Sequence, residues 1–391
     1  MFSRKTRWDL SSNTLGHELS LARAEGRKLV DLTESNPLRA GLVEAEALVA
    51  LLGHPRGASY APLPFGHPAA REAVARYYAD RGSPIDAGRI ALSASTSEAY
   101  GWIFKLLCEE GDRVLVPAPS YPLLDYLATL EGVTLVPYPL VREEGFRIDL
   151  DALEAAIDGR TRAIVLVHPN NPTGTLVRRD EAAALDAIAA RRELGLIVDE
   201  VFGDYPQRPL AADRLPSFAR DGEALTFVLS GLSKVAALPQ LKLGWIATLG
   251  PGALVAEALE RLEVIADTYL SVSTPVQLAL PEILAARGPI QAAIQARVGE
   301  NLAALDRALA APGSTVRRLP ADAGWYAILE VPRTRDEDGW ISALIRGEGL
   351  VVHPGYFFDM PRDGFLVLSL LPPPALFAEA VERLCRRIDR L

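Results

Sequence analysis

The chain has 391 residues, 49% hydrophobic and 23% charged, a balance that excludes an intrinsically disordered protein, and its length points to two domains. Its 41 Lys and Arg against 50 Asp and Glu leave a net charge of −9, the wrong sign for a nucleic-acid binder. Two cysteines (Cys108 and Cys385) and five dispersed histidines offer neither a disulfide framework nor metal-ligand spacing, so no metal is expected.

The first residues, MFSRKTRWDLSSNTLG, are basic and lack the apolar stretch of a secretory signal. No run approaches the ~18 apolar residues of a membrane helix, and a cytoplasmic protein is expected. Residues 1–45 read as irregular, with a helical stretch at Leu15–Glu25 and a turn at Ser35-Asn36-Pro37. From about residue 46 short apolar runs alternate with helical patterns. The runs are Arg113–Val116, Thr134–Pro137, Ala163–Val167, Gly195–Val198, Thr226–Leu229 and Trp245–Leu249. Helical spacing marks Glu98–Leu107, Leu123–Leu130, Leu150–Ile157 and Arg179–Arg192. This alternation predicts an α/β fold with a mostly parallel sheet and helices on both faces. After Gly250 the pattern is helix-rich to about residue 311. Strands then follow near Trp325–Leu329, Leu350–Val352 and Phe365–Leu368, with a last helix from Ala375 to Leu391. The expected division is a large domain over 46–280 and a smaller α+β domain from 1–45 and 281–391.

Ligands of open α/β sheets bind beyond the carboxyl ends of the strands, and four polar features fall there. Lys234, in Ser-Gly-Leu-Ser-Lys directly after Thr226–Leu229, can form a Schiff base with a carbonyl, or is a surface lysine in a loop. Asp199, followed by Glu200, ends an apolar strand, where a carboxylate wants a cation such as a protonated ring nitrogen, or else caps a helix. Asn171, in His168-Pro-Asn-Asn171-Pro-Thr-Gly174, can donate its amide to a ligand oxygen, or belongs to a plain turn. Thr96 and Ser97 open a helix whose free N–H groups suit a phosphate; otherwise one of them is the capping residue. Together the four describe a pyridoxal phosphate site.

With Asn171-Pro-Thr-Gly, Asp199-Glu-Val and Ser-Lys234 in this order and spacing, the chain resembles the fold-type I pyridoxal-phosphate enzymes of the class I/II aminotransferase family, from about Leu32 onward. The resemblance implies an aspartate-aminotransferase-like α/β fold: a large domain with a mostly parallel seven-stranded sheet flanked by helices, and a smaller α+β domain. It implies Lys234 as the internal-aldimine lysine and proton shuttle, Asp199 as partner of the pyridinium nitrogen, and Asn171 as donor to the ring hydroxyl. Thr96 and Ser97 match the phosphate-binding helix start, and Ser233 joins the cofactor contacts. Tyr121, in Pro-Ser-Tyr-Pro-Leu, matches the aromatic residue that stacks on the ring, and otherwise reads as a core aromatic. Lys242 stands where many relatives have a phosphate-binding arginine, serving as a point charge without the bidentate fork. Tyr60 matches a tyrosine that reaches the phosphate of the other subunit, which implies a homodimer.

Three positions depart from the family pattern. Phe202 stands where many relatives have a tyrosine bonding the ring hydroxyl, and Gly231 stands where a serine is frequent, with Ser230 and Ser233 nearby. In Phe365-Leu-Val367-Leu-Ser369, Val367 replaces the arginine that clamps the substrate carboxylate. Arg39, just past the Ser35-Asn36-Pro37 turn that resembles the family's substrate loop, is the candidate replacement, with Asn36 beside it. The implied activity is amino transfer between an amino acid or amine and a keto acid. A lyase or decarboxylase on the same cofactor and fold is the alternative, and a non-catalytic ligand sensor a second one.

Overall fold

The computed structural model describes residues 1–390 except Ser12 and Ala61. Its large sheet contains Ile90–Ser93 (β1), Arg113–Ala118 (β2), Thr134–Val141 (β3), Arg147–Ile148 (β4), Thr161–Val167 (β5), Gly195–Asp199 (β6), Thr226–Gly231 (β7) and Gly244–Leu249 (β8). They lie in the spatial order β1-β8-β7-β6-β5-β2-β3-β4. Neighbours from β7 to β3 are parallel, and β8 runs antiparallel to both β1 and β7. The seven-stranded, mostly parallel sheet is present, with the two-residue β4 added as an antiparallel edge on β3.

The central strands are apolar throughout because helices cover both faces. Along β6, Leu196 and Val198 enter one core and Ile197 the other, the period of two that a pleated strand imposes. The first core holds helices Pro68–Asp80, Arg179–Arg192 and Thr274–Ala285; the second holds Thr96–Leu107, Leu123–Glu131 and Gly252–Tyr269. The apolar runs did not reveal β1 or the helix Pro68–Asp80 before it. Ala70, Ala73, Val74, Tyr77 and Tyr78 nevertheless stand at helical spacing and are all buried.

A second sheet contains Arg317–Arg318 (β9), Tyr326–Glu330 (β10), His353–Pro354 (β11) and Phe365–Ser369 (β12), antiparallel in the order β9-β10-β12-β11. Leu366 and Leu368 of β12 face a third core, with helices Thr14–Ala24, Arg287–Leu309, Glu337–Glu348 and Pro374–Asp389. Phe365 and Val367 face the first core of the large sheet. The expected strand Leu350–Val352 is divided between two partners. Leu350–Val351 pairs in parallel with Val30–Asp31, and the chain then crosses to β11. The last helix ends at Asp389; Leu391, expected within it, lies outside the described residues. No helix among the described residues is long and apolar enough to cross a membrane.

Candidate active site

The carboxyl ends of β2, β5, β6 and β7 open into a cleft of about 180 Å³, closed on its far side by Tyr326 of β10. Of the residues expected at a site, Thr96, Ser97, Tyr121, Asn171, Asp199, Ser233 and Lys234 all line it.

The helix Thr96–Leu107 points its N-terminus at the cleft. Its cap is Ser95, whose hydroxyl accepts the Glu98 N–H at 3.2 Å, not Thr96 or Ser97. The Glu98 carboxylate turns back to the Ala94 N–H and the Ser271 hydroxyl, each at 2.6 Å. Thr96 and Ser97, in the first turn, therefore keep hydroxyls and N–H groups without intrahelical acceptors, beside the positive end of the helix dipole. The backbone here is crowded. A Cβ on Gly244 would lie 3.0 Å from the Ser95 carbonyl carbon and 3.1 Å from the Thr96 nitrogen. One on Gly231 would lie 3.0 Å from Gly244 Cα and from the Leu243 oxygen, so a serine here would require the facing backbone to give by a few tenths of an ångström.

At the end of β6 two consecutive carboxylates part company. Glu200 turns into the core, accepting the Ser217 hydroxyl and the Phe218 N–H. Asp199 faces the cleft, where its Oδ1 accepts the Val201 N–H at 3.1 Å and its Oδ2 the Tyr100 hydroxyl at 3.5 Å. It thus caps a turn as well as lining the cleft. Burial pushes its carboxyl up to about 6, against the pull of these donors and of the Lys234 charge. Lys234 sits on the one-turn helix Leu232–Val235 after β7, its carbonyl held by the Tyr205 hydroxyl at 2.5 Å. Its Nζ lies 4.8 Å from the Trp325 ring centroid and 5.3 Å from that of Phe202. Burial among these rings lowers the amine to about 8, although Asp199 draws it upward. A neutral amine is therefore within reach near neutral pH, the form that attacks carbonyls.

Two polar atoms here have no partner. Asn171 Oδ1 and Ser120 Oγ are buried without a hydrogen bond, an unfavourable state that a polar ligand relieves. His168, by contrast, is structural: it accepts the Val177 N–H at Nδ1, donates from Nε2 to the Leu215 carbonyl, and burial holds it neutral, down to about 3. The remaining groups fit pyridoxal phosphate part by part. The helix start suits its phosphate, Asp199 its ring nitrogen, the Asn171 amide its ring hydroxyl and Lys234 its carbonyl.

Four of the expected residues do not line this cleft. The Arg39 side chain is 75% exposed and paired with Glu34 at 3.0 Å, so it is not in the cleft. The Asn36 Oδ1 is taken by the Leu38 N–H at 3.0 Å. Lys242 is exposed, in a left-handed turn with φ 50°. Tyr60 is 84% exposed and borders a separate cavity with Leu63 and Leu270. Conversely, Tyr100, Ser120 and Tyr326 line the cleft without having been singled out. Tyr100 had a signal, standing one helical turn beyond Thr96 on the same face. Tyr326 had none in its local sequence.

Residues 27–388 match the family model described as aminotransferase class I and II. The alanine aminotransferase of Mycobacterium tuberculosis is 29% identical over 386 residues, covering 92% of this chain and 86% of that one. The glutamate-pyruvate aminotransferase AlaA of Haemophilus influenzae is 26% identical, covering 93% and 91%. The solved alanine aminotransferase of Pyrococcus furiosus superposes over 100% of both chains with a TM-score of 0.87 at 22% identity, a likeness of fold.

Proposed function

The chain belongs to the class I and II aminotransferase family, and from that premise we propose that an α-amino acid and a keto acid react in the cleft at Lys234. The enzyme is a pyridoxal-phosphate-dependent aminotransferase. The observation that carries the site assignment is the convergence of the lowered Lys234 amine, the raised Asp199 carboxyl and a helix N-terminus on one cleft. The relatives named for alanine and for glutamate and pyruvate support small amino and keto acids as substrates.

When bound, the cofactor supplies an electron sink for the carbanion formed at the substrate's α-carbon. The protein's residues do the rest. Lys234 Nζ, free of charge in part near pH 8, takes the proton from that carbon. Asp199 would hold a proton on the ring nitrogen, and such an ion pair would return its own pKa toward the ordinary range. Thr96, Ser97 and Ser233 would hold the phosphate end, Asn171 would orient the ring hydroxyl, and Tyr121 would cover the ring; all five line the cleft. Lys242 would join the phosphate contacts only by swinging inward from its exposed turn.

The large sheet with its helices forms one domain, 46–280, and the rest of the chain the other. Exposed Tyr60, Leu63, Tyr269 and Leu270 support a homodimer in which Tyr60 reaches the partner's cleft. Two unpaired cysteines accord with the cytoplasm. A spectral screen of holoenzyme against amino acids, ω-amines and amines without a carboxylate tests the reading. Amino acids should convert the cofactor and keto acids should restore it. Conversion by carboxylate-free amines alone, or no restoration by any keto acid, would sink it.

A further inference from the structure

The cleft is small for what it must hold. Its volume of about 180 Å³ lies below the roughly 300–1,000 Å³ of ordinary small-molecule sites, and the cofactor's ring and phosphate are to share it with the substrate. A group carried on the substrate's α-carbon therefore meets the wall early. Lys234 Nζ, assigned to the proton on that carbon, lies 5.3 Å from the Phe202 ring centroid. The same ring packs edge-on to Tyr326 at 6.1 Å. Tyr326 and the reacting amine thus share one neighbour, and both line the cleft.

Tyr326 is held in place. Its backbone pairs with Ser369 of β12, and its carbonyl accepts the Gln207 side-chain amide at 3.2 Å. Ser35, another residue of the cleft lining, lies against its hydroxyl. The segment carrying Ser35 is tied to the same sheet, because the Leu32 carbonyl accepts the Ser369 N–H at 2.7 Å. The Leu32 N–H in turn donates to the Val351 carbonyl at 3.0 Å. Ser369 therefore fixes Tyr326 by pairing and the Ser35 segment by a hydrogen bond. Neither can give way without losing these bonds, and a packed wall of this kind resists overfilling.

We propose that the ring of Tyr326, backed by Ser35, sets the upper size of the substrate side chain, so that the enzyme takes amino acids with short side chains and turns away aromatic ones. This deepens the proposed function above and rests on it, since it needs an amino-acid substrate. The excluding element is the volume of the ring, and the hydroxyl contributes a separate polar contact. A single methylene too many in an apolar pocket changes selectivity by roughly 10–200-fold, so a limit set by one ring is large enough to measure.

The probes are propionate and 3-phenylpropionate, which lack the amine and differ by one phenyl group, added to holoenzyme and read by calorimetry. Wild type should bind 3-phenylpropionate about tenfold or more weakly than propionate, although its larger apolar surface favours burial. Tyr326→Leu should shrink that ratio by about tenfold, whereas Tyr326→Phe, which keeps the ring, should leave it nearly unchanged. Tyr326→Met preserves more of the buried volume and should act as Tyr326→Leu does, which keeps the test open if the leucine variant does not fold. Among donors, alanine should outdo phenylalanine. Equal or tighter binding of 3-phenylpropionate by wild type, a ratio unmoved by the leucine and methionine changes, or one moved as far by Tyr326→Phe would overturn the assignment. So would phenylalanine outdoing alanine. Because the two acids are read without turnover, a wild type that transfers no amino group would sink the proposed function and leave the binding comparison standing.

Discussion

The large sheet meets the cleft with the carboxyl ends of four strands, whereas the small sheet meets it with the first residue of one. At β6 and β7 the regular ladder stops at the cleft, with Asp199 as the last residue of β6 and Lys234 on the one-turn helix beyond β7, their pKa values displaced toward each other to about 6 and about 8. At β10 the first residue, Tyr326, reaches the cleft opposite Ser369 at the end of β12, and Ile328, Val367 and His353 continue the same face away from it. The strand ends can place charged groups because loops leave them room and donors. A mid-strand face is packed against a core and carries charge at a greater cost. Reacting groups are therefore assigned to the first wall and recognition to the second.

The strongest test of that division is Lys234→Ala, which should lower amino transfer by about 10³-fold or more while the fold persists. Borohydride reduction of wild-type holoenzyme followed by peptide mapping should place the cofactor label on Lys234. Label on another lysine would move the reacting group out of the first wall.

Asp199→Asn comes next, with opposite effects on rate and stability. Losing the charge opposite the ring nitrogen should cost about 10²-fold in turnover. For the cofactor-free protein, the carboxyl sits at about 6 in the fold, against about 4 for an aspartate in the unfolded chain. Between those values the folded chain binds more protons than the unfolded one, so stability falls as pH rises from about 4 to 6. Above pH 6 the full penalty is present, and the amide removes it, a gain of roughly 2–3 kcal/mol. Urea unfolding at pH 7.5 should show that gain, and at pH 4 little of it. A variant no more stable at pH 7.5 would mean that Asp199 is already satisfied where it stands.

The two walls also differ in how far their sequence betrays them. Asn171, Asp199 and Lys234 were legible because each directly follows an apolar strand, so that a local motif fixes both residue and position. Gly231 was legible only as a departure. What crowds it is the approach of β8 through Gly244, thirteen residues on, which no local pattern shows. The second wall exists only through register: Tyr326 meets Ser369 across 43 residues, and Val367 meets His353 across 14. Arg39 suits the clamp by its place in the chain, but Glu34, on the same loop, takes it instead. The short β1 and β11 escaped for want of length, since a few residues carry too little periodicity to be told from a loop.

A smaller effect tests how rigid the first wall is. In Gly244→Ala the new methyl must push the backbone at Ser95 and Thr96 by a few tenths of an ångström, because β8 has no slack toward that helix. Overpacking of this kind costs about 1–3 kcal/mol. The cost should fall on pyridoxal phosphate affinity, weakening it about tenfold, measured by equilibrium titration of the cofactor-free protein. Unchanged affinity with a lowered melting temperature would show that the helix start does not hold the phosphate.

The smallest expected effect belongs to the second wall. Tyr326 brings a phenol to the cleft, and Ser35 of the N-terminal segment lies against it, favouring ionisation of a phenol that burial otherwise pushes up. Removing that hydroxyl in Tyr326→Phe leaves the ring, which packs edge-on to Phe202 at 6.1 Å between centroids. The loss is then one hydrogen bond, about 0.5–1.5 kcal/mol, felt where the substrate is held rather than where its proton moves. KM for an amino-acid donor should rise about two- to tenfold with kcat nearly unchanged, and thermal stability should move little. A fall in kcat of the size expected for Asp199→Asn would instead place Tyr326 among the reacting groups, and the separation of the two walls by task would not survive it.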